Sequence, residues 1–234
     1  MEDKAFLLLH EAENSWWYRG RARVARAAAG RVHLRDARIV LDFGAGFGGM
    51  LPTLQLMGGE VYAFEPELLP AKEAATRGYT HVYTNVQEAL TRQYDAIALF
   101  DVIEHVENDA ELMVRLRDSL SSKGAVVITT PAFPFLWSVH DISHHHFRRY
   151  RKSGLKKLLE DAGYTVEFIS YWNFFLFPLA VLMRLLNRSG EGALGAPGII
   201  TNICEVLISI EAALMQFIPL PFGVSFVVVA RKSS

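Results

Sequence analysis

Cysteine is almost absent from the 234 residues, since Cys204 is the single one, and this excludes an internal disulfide. The opening Met-Glu-Asp-Lys does not have the basic and then apolar layout of a secretory signal. The 24 basic and 25 acidic residues nearly cancel, which excludes the overall polyelectrolyte character that favours nucleic-acid binding. We therefore expect a cytoplasmic protein with no nucleic-acid partner, in which any electrostatic recognition is local.

A long apolar run free of charges is also missing. Of the two most apolar stretches, 172–186 contains Pro178 and Arg184, and 199–222 contains Glu205 and Glu211. A membrane-spanning helix needs about 20 apolar residues. Burying a charged side chain in lipid costs roughly 2.5 to 3.5 kcal/mol. The sequence therefore predicts no transmembrane span.

Short runs rich in Val and Ile alternate with longer helical patterns from about residue 38 onward. The alternation predicts an α/β fold with a seven-stranded, mostly parallel sheet, helices on both faces and an antiparallel last strand. The predicted strands are 38–43, 60–64, 81–83, 94–100, 125–130, 165–171 and 224–230, and the predicted helices lie around 49–57, 68–77, 109–120 and 154–162. No internal repeat is visible, so we predict one domain over 1–234, with an N-terminal helical cap at 1–37 and a helical insertion at 172–222.

The later helix of the insertion is predicted to be amphipathic. Apolar residues recur at steps of three and four, at Ile199, Ile203, Leu207, Ile210, Leu214 and Phe217. One interpretation is that this face packs on the preceding helix or forms a homodimer contact. The other is a lid or a peripheral membrane-contacting surface for a lipid-like acceptor.

A buried strand at 39–43 runs into a turn that contains Gly44, Gly46 and Gly49. The spacing Gly-x-Gly-x-x-Gly is shared by sites for NAD and for S-adenosylmethionine, so the turn alone leaves both open. Glu65 follows the second strand, 23 residues after Asp42, where a carboxylate can accept both ribose hydroxyls. An acid at Asp42 would repel a pyrophosphate but suits a cationic amino-acid group, and this favours S-adenosylmethionine.

Successive segments between about 38 and 171 resemble the motifs of class I methyltransferases, which have a Rossmann-like fold. They are Val-Leu-Asp-Phe-Gly-Ala-Gly, Phe-Glu-Pro, Tyr-Asp-Ala-Ile and Asp-Val-Ile-Glu-His-Val. The resemblance implies that the methionine part of the cofactor lies at Asp42, Gly44, Ala45 and Gly46. It also implies a ribose site at Glu65 and Pro66 and an adenine site at Asn85 and Val86, where relatives more often have Asp at the first position. The last cofactor positions it implies are Phe100 and Asp101.

The segment 13–21, Glu-Asn-Ser-Trp-Trp-Tyr-Arg-Gly-Arg, resembles a leader found in bacterial methyltransferases of polysaccharide and lipid pathways. It is similar also to the Trp-Trp leader of ubiquinone-pathway O-methyltransferases. The resemblance implies that Tyr18 and Arg21 lie near the carboxylate of the cofactor. For Trp16 and Trp17 we expect core packing instead.

The fourth strand is followed by Asp101-Val102-Ile103-Glu104-His105. In a helical turn, Asp101, Glu104 and His105 would share one face and could bind a divalent ion that activates a hydroxyl oxygen. This pattern resembles the Glu-x-x-Glu-His metal motif of the ubiquinone-pathway enzymes and of small-RNA 2′-O-methyltransferases. The alternative is a capping pair at a helix start, formed by Asp101 and Glu104.

A histidine-rich segment, 137–150, follows the fifth strand and resembles the Asp-x-x-x-x-His-x-Arg-Arg-Tyr segment of the same bacterial group. An imidazole has a pKa suited to taking a proton from a hydroxyl. His146 matches the family position and is our first candidate for the base, with His105 second. The basic residues at 148, 149, 151, 152, 156 and 157 could receive a phosphate or carboxylate of the acceptor, or simply form a solvated helix start.

These features predict O-methylation of a small, lipid-linked or sugar-linked hydroxylated acceptor, with His146, His105 and Asp101 as the catalytic candidates. Oxygen is favoured because no segment resembles the Asn-Pro-Pro-Tyr motif of amino-group methylases. An NAD-dependent oxidoreductase is one alternative, although the Tyr-x-x-x-Lys of such enzymes is missing. A non-catalytic scaffold that binds S-adenosylmethionine is the other.

Overall fold

The computed structural model describes residues 15–34, 37–186 and 198–233, and in it seven strands form one sheet in the order β3-β2-β1-β4-β5-β7-β6. All neighbouring pairs are parallel except those of β7, which runs antiparallel to both β5 and β6. The strands are β1 Ala37–Phe43, β2 Gly58–Phe64, β3 His81–Tyr83, β4 Tyr94–Phe100, β5 Leu120–Pro131, β6 Tyr164–Trp172 and β7 Ser225–Lys232. The predicted Rossmann-like sheet and its antiparallel last strand are confirmed.

Nine α-helices lie in the described part of the chain. They are α1 Trp16–Arg31, α2 Leu51–Gln55, α3 Leu68–Ala74, α4 Val86–Ala89, α5 Asp109–Asp118, α6 Val139–Ser143, α7 Lys152–Asp161, α8 Phe177–Leu185 and α9 Ile199–Met215. The helix predicted at 49–57 is only five residues long, because Gly48 has a φ of 86° and β2 already begins at Gly58.

Two apolar clusters cover the two faces of the sheet. One contains residues of α1, α2 and α9, such as Ala28, Leu54 and Ile208, and the other contains residues of α5 and α7, such as Leu116 and Leu159. Both faces are therefore shielded from water, as a mainly parallel sheet requires. Because β1, β2, β4, β5 and β6 run in the same direction, their carboxyl ends lie at one edge of the sheet.

Helix α9 of the insertion packs mainly on the N-terminal helix α1, through the side of the helix that contains Ile208. Most of the apolar face predicted for α9 is exposed instead, so the expectation that this face packs on the preceding helix is wrong, and a homodimer contact stays a prediction. A Cβ placed on Gly20 would lie 2.6 Å from Ile208 Cδ1, so the two helices approach closely at this glycine. Arg31 Nη1 also donates to the carbonyl oxygen of Met215 at 2.8 Å. Trp16 is buried and Trp17 lies 4.6 Å from Trp172 between ring centroids, so both tryptophans are packing residues, as expected.

The cap and the insertion are described only in part, because residues 1–14 and 187–197 lie outside the described ranges. Within those ranges, no helix has both the length and the apolar character that crossing a membrane needs. Several apolar side chains of α9 nevertheless face outward, among them Ile199, Ile203, Val206 and Ile210.

Candidate functional site

The glycine turn after β1 lies at the carboxyl edge of the sheet. Gly44 and Gly46 have φ angles of 80° and 55°, in the left-handed region that favours glycine. The Gly44 N–H donates to the carbonyl oxygen of Phe64 at 2.8 Å, which ties the turn to the end of β2. A Cβ on Gly46 would have no atom within 4 Å, so this residue faces open space. The turn thus leaves room for a ligand against its backbone.

Asp42, the last but one residue of β1, is buried below this turn. Its Oδ2 accepts a hydrogen bond from the Tyr79 hydroxyl at 2.6 Å. Burial raises the pKa of Asp42 to about 6 and outweighs the opposing effects of the Tyr79 hydrogen bond and the Arg21 charge. A cation near this carboxyl would be stabilised, and Tyr79 is a partner that the sequence motifs did not indicate.

Glu65 is held at the end of β2 by two backbone amides. Its Oε2 accepts from Gly46 N at 2.8 Å and its Oε1 from Glu67 N at 3.0 Å. Each carboxylate oxygen has a second lone pair that can accept a further donor. The carboxylate is therefore fixed beside the glycine turn in an orientation suited to a diol.

Arg21 connects helix α1 to the end of β4. Its Nη1 lies 2.9 Å from Asp101 Oδ2, and its guanidinium carbon lies 4.1 Å from the centroid of the Tyr18 ring. The Arg21 Nε is buried and has no hydrogen-bond acceptor among the described residues. Thr129 Oγ1 donates to the other oxygen of Asp101 at 2.9 Å. Tyr18, Arg21 and Asp101 thus lie together, and the buried Arg21 Nε remains without an acceptor among the described residues.

The remaining predicted cofactor positions border the same edge. Phe100 and Ala45 are buried, Val86 is half-buried, and Pro66 and Asn85 are exposed. The side-chain oxygen of Asn85 accepts from Gln87 N at 2.8 Å and so caps helix α4. The amide group of Asn85 therefore has only its N–H donors left for a ligand.

The acidic and imidazole groups after β4 are arranged differently from the helical turn considered above. A 3-10 turn spans Ile103–His105, and no side chain caps it, so Asp101 and Glu104 do not form a capping pair. The atoms that could ligate a metal in Glu104, His105 and His146 all lie within 4.8 Å of one another. Asp101 is not part of this group, because Arg21 and Thr129 engage its carboxylate.

The three groups of this cluster differ in their surroundings. Glu104 is fully buried, and its Oε2 accepts from Thr130 Oγ1 at 3.0 Å while Oε1 has no partner among the described residues. Burial, and then the neighbouring Asp101, raise the pKa of Glu104 well above its ordinary value. Desolvation, and then the adjacent His146, lower the pKa of His105 to about 4. His105 is therefore a neutral imidazole at neutral pH.

His146 is fastened by a carboxylate that the sequence analysis did not single out. Its Nδ1 lies 3.0 Å from Asp141 Oδ1, and the Arg149 Nε donates to the same oxygen at 2.6 Å. The His146 ring lies 4.6 Å from the His105 ring, nearly perpendicular to it. The signal for Asp141 was present, because it is the Asp of the Asp-x-x-x-x-His pattern quoted above.

The other members of the histidine-rich segment lie outside this group. His140 and His144 lie 4.0 Å apart between ring centroids, with their rings tilted by 38°, and His145 is exposed with a φ of 55°. Most of the basic run is engaged in ion pairs, namely Arg148 with Asp109, Arg149 with Asp141, Lys156 with Glu160 and Lys157 with Asp161. Arg151 and Lys152 are exposed at the start of α7.

Comparison with known proteins assigns the chain to a family. A family model described as a methyltransferase domain matches residues 11–168. The chain is also 31% identical, over 99 residues, to the ubiquinone biosynthesis O-methyltransferases of two Rickettsia bellii strains. That match covers 39% of this chain and spans 41% of the length of those relatives.

Solved structures share the fold at low sequence identity. One is an S-adenosylmethionine-dependent methyltransferase from Archaeoglobus fulgidus, with 18% identity, 90% of this chain and 94% of that chain covered, and a TM-score of 0.58. Another is the plantazolicin methyltransferase BamL in complex with a triazolic desmethylPZN analogue and SAH. It has 12% identity, 99% of this chain and 91% of that chain covered, and a TM-score of 0.61.

Proposed function

The chain belongs to the methyltransferase-domain family and is an S-adenosylmethionine-dependent methyltransferase, and we propose that it methylates a hydroxyl oxygen of a small, lipid-linked or sugar-linked acceptor. Family membership disfavours the NAD-dependent oxidoreductase. The observation that supports an oxygen acceptor is the position of His146. A buried carboxylate holds its ring at the carboxyl edge of the sheet, 4.6 Å from the neutral His105 ring.

The glycine turn and its neighbours fit the cofactor. Open space at Gly46, the buried Asp42 carboxyl and the unpartnered Arg21 Nε are features that a bound amino-acid group would use. In the proposed arrangement Asp42, Gly44, Ala45, Gly46, Phe100 and Asp101 hold the methionine part, with Tyr18 and Arg21 at its carboxylate. Glu65 and Pro66 would hold the ribose, with Asn85 and Val86 beside the adenine. S-adenosylmethionine supplies an electrophilic methyl group on a sulfonium.

The residues after β4 and β5 supply the acceptor side of the proposed reaction. His146 would take the proton of the acceptor hydroxyl as the oxygen forms its bond to the methyl carbon, with His105 as the alternative base. Alignment of the acceptor oxygen would contribute more than proton removal, because holding two reactants in line removes much of the entropic barrier. Asp101 would act through its position between Arg21 and the acceptor edge.

An apolar rim around this edge supports an acceptor with a lipid part. Exposed apolar side chains follow β5 at Phe135, Ile142 and Phe147, which are 62%, 62% and 53% exposed. The Arg184 Nε of helix α8 donates to the carbonyl oxygen of Leu136 at 3.0 Å, which joins α8 and its exposed Leu179 and Leu182 to the same rim. Apolar patches of this kind mark sites for apolar ligands, membranes or partner chains. Peripheral membrane contact is therefore part of the proposal, and dimerisation through the outward face of α9 is its alternative.

A divalent metal, held by Glu104, His105 and His146, is an alternative to this proposal that the sequence does not favour, because a metal-bound His146 could not act as the base. The unpartnered Glu104 Oε1 and the neutral His105 ring are donors of the types that Zn²⁺ or Mn²⁺ accept. A bound ion would lower the pKa of an acceptor hydroxyl. Exhaustive chelation should then abolish methyl transfer, and Mn²⁺, Zn²⁺ or Mg²⁺ should restore it. Full activity after chelation would leave His146 and His105 to act without an ion.

Methyl transfer from radiolabelled S-adenosylmethionine tests the proposed acceptor class. The purified protein is incubated separately with a dispersed total lipid extract and with an aqueous metabolite extract, and the labelled product is tested for alkali-stable ether or alkali-labile ester linkage. We expect label on oxygen, with loss of transfer in His146→Ala and retention in the control His145→Ala. Label on nitrogen contradicts the oxygen acceptor.

Two results would favour the alternative functions, the non-catalytic scaffold and the oxidoreductase. A folded protein that binds S-adenosylhomocysteine but labels neither extract favours the non-catalytic scaffold. Calorimetric binding of NADH in place of S-adenosylhomocysteine favours the oxidoreductase. The proposed setting is the cytoplasm, in keeping with a single, buried, unpaired Cys204.

A further inference from the structure

The Asp141 side chain is fully buried and receives four donors. Its Oδ1 lies 3.0 Å from His146 Nδ1 and accepts from Arg149 Nε at 2.6 Å. Its Oδ2 accepts from the backbone N–H of Ser138 at 2.8 Å and from the Ser138 hydroxyl at 3.2 Å. Both carboxylate oxygens are thus saturated within one short segment, which starts helix α6 with a capping box.

The chemistry of these donors decides which nitrogen of His146 carries the proton. A guanidinium and a backbone N–H can only donate, and an ionised carboxylate can only accept. The Arg149 guanidinium and two donors of Ser138 are all directed at Asp141, so contacts other than His146 hold this carboxyl in its ionised form. Nδ1 of His146 must therefore donate to Asp141. In the neutral ring Nε2 then carries no proton, and its lone pair is free to accept one.

The segment around this pair is tied to the turn that contains Glu104 and His105. The backbone N–H of His146 donates to the carbonyl oxygen of Asp141 at 2.9 Å. The backbone N–H of Phe147 donates to the carbonyl oxygen of Glu104 at 2.8 Å. The side chain of His146 is only 6% exposed, so the ring has little freedom to turn. Asp141 and its donors therefore set both the position and the orientation of the His146 ring.

We propose that Asp141 is a positioning residue, which locks His146 in the Nδ1–H tautomer and presents the free Nε2 to the acceptor side of the sheet edge. The role in methyl transfer rests on the proposed function, in which the proton of the acceptor hydroxyl passes to Nε2 as the oxygen bonds the methyl carbon. The carbon–sulfur bond of the sulfonium would break in the same step, and its electron pair would stay on sulfur to leave a neutral thioether. The charge of Asp141 then stabilises the imidazolium until Nε2 releases the proton to solvent. The tautomer itself does not depend on that function.

Arg149 has a separate task in this arrangement. Its guanidinium is nearly buried, and Nη1 also donates to the carbonyl oxygen of Ala132 at 3.3 Å, so it anchors the carboxylate to the end of β5. Removing Asp141 altogether would leave Arg149 as a buried cation without its anion, which is strongly destabilising. The test therefore includes Asp141→Asn. There the side-chain oxygen can still face Arg149 Nε and His146 Nδ1.

The experiment is ¹⁵N NMR of the imidazole nitrogens at a pH where the ring of His146 is neutral, with the signals assigned by their loss in His146→Gln. We expect Nδ1–H in the wild type, in Asp141→Asn and in the control Arg149→Met, which keeps the carboxylate. In Asp141→Ala we expect the preference to be lost, with kcat for methyl transfer lower by about 10²-fold and the Kd for S-adenosylhomocysteine unchanged.

The outcomes separate this inference from the proposed function. Nε2–H in the wild type, or an unchanged tautomer in folded Asp141→Ala, overturns the positioning role. If Asp141→Ala does not fold, the tautomer of His146 in the wild type still tests the positioning role. A changed tautomer with an undiminished kcat supports the positioning role and instead removes His146 as the base.

Discussion

Arg21 of helix α1 and Asp101 after β4 form an ion pair at the carboxyl edge of the sheet, with 2.9 Å between Nη1 and Oδ2. Asp101 has a φ of 57°, in the left-handed region that side chains rarely adopt, at the point where its carboxylate meets both Arg21 and Thr129. Strain of this kind persists only where surrounding contacts hold it, and such positions cluster at functional sites. The pair therefore fastens the N-terminal helix to the site.

Arg21→Met should weaken both the fold and cofactor binding. Loss of the guanidinium leaves Asp101 without its cation, which should lower the free energy of unfolding by on the order of 2 kcal/mol, because Asp101 keeps part of its surface in water. Urea denaturation measures this, and calorimetry should show weaker S-adenosylhomocysteine binding. The control is Arg19→Met, two residues away, whose pair with Glu205 is more exposed and should contribute less than about 1 kcal/mol. Equal effects of the two changes would contradict a special role for Arg21.

Gly46→Ala should abolish most cofactor affinity while the protein stays folded. The added methyl meets no protein atom, so it would occupy the space that we assign to the ligand, at a cost of about 1 to 3 kcal/mol, or roughly 5- to 150-fold in Kd. Gly198→Ala is the matched control, because Gly198 also has a positive φ of 74° and open space at its Cβ, but precedes α9. Both variants share the backbone strain, so S-adenosylhomocysteine binding that is unchanged in Gly46→Ala would exclude the glycine turn as the site.

The affinity for S-adenosylmethionine should fall as the pH is lowered through about 6. Burial raises the pKa of Asp42 to about 6, so protonation removes the negative charge that favours a cationic ligand. The loss should approach tenfold per pH unit well below that value. Calorimetry between about pH 5 and pH 8 measures it. Asp42→Asn should bind weakly with little of this dependence, and an identical pH profile in both proteins would exclude Asp42 as the cause.

The stability of the free protein should change in the opposite direction. The pKa of Asp42 in the fold, about 6, is above the reference value of 3.8, so the folded state binds this proton more tightly than the unfolded chain. Its contribution to the free energy of unfolding therefore grows as the pH falls through about 6 towards 3.8. The difference in the free energy of unfolding between wild type and Asp42→Asn, followed as a function of pH, isolates this contribution.

Glu211→Leu should destabilise the insertion. Glu211 is fully buried on α9, and its Oε1 accepts from the backbone N–H of Phe175 at 3.0 Å, just after β6. Without that acceptor the part-buried N–H of Phe175 loses its partner, at a cost towards the lower end of about 1 to 3 kcal/mol. Glu211→Gln keeps an acceptor and should be closer to wild type in urea denaturation. Glu205→Gln, at a half-buried position of the same helix where the side chain pairs with Arg19 and Arg23, serves as the control, and a Leu variant as stable as this control would contradict the anchoring role.

The local pattern of apolar and polar residues predicted the strands and helices, because this pattern depends on residues that are close in sequence. The strands at 94–100 and 81–83 have the predicted bounds, since their apolar runs are short and bordered by turns. The helix expected at 49–57 was too long, because the start of β2 at Gly58 competes for the same residues. The metal-ligand set was predicted around Asp101 on the assumption of a helical turn. The observed 3-10 turn, together with the pairing of Asp101 to Arg21, groups Glu104 and His105 with His146 instead.

The amino-acid sequence by itself determined the order of strands and helices, the glycine turn at Gly44 and Gly46, and the acidic residue at Glu65, because periodicity and backbone preference are local properties. Tertiary structure alone decided that α9 packs on α1, that Arg21 reaches Asp101 eighty residues further along, and that His105 lies beside His146. These contacts join parts of the chain that are far apart in sequence. Which partners meet is set by how the apolar faces of all the elements are buried together on the sheet, and no single segment carries that information.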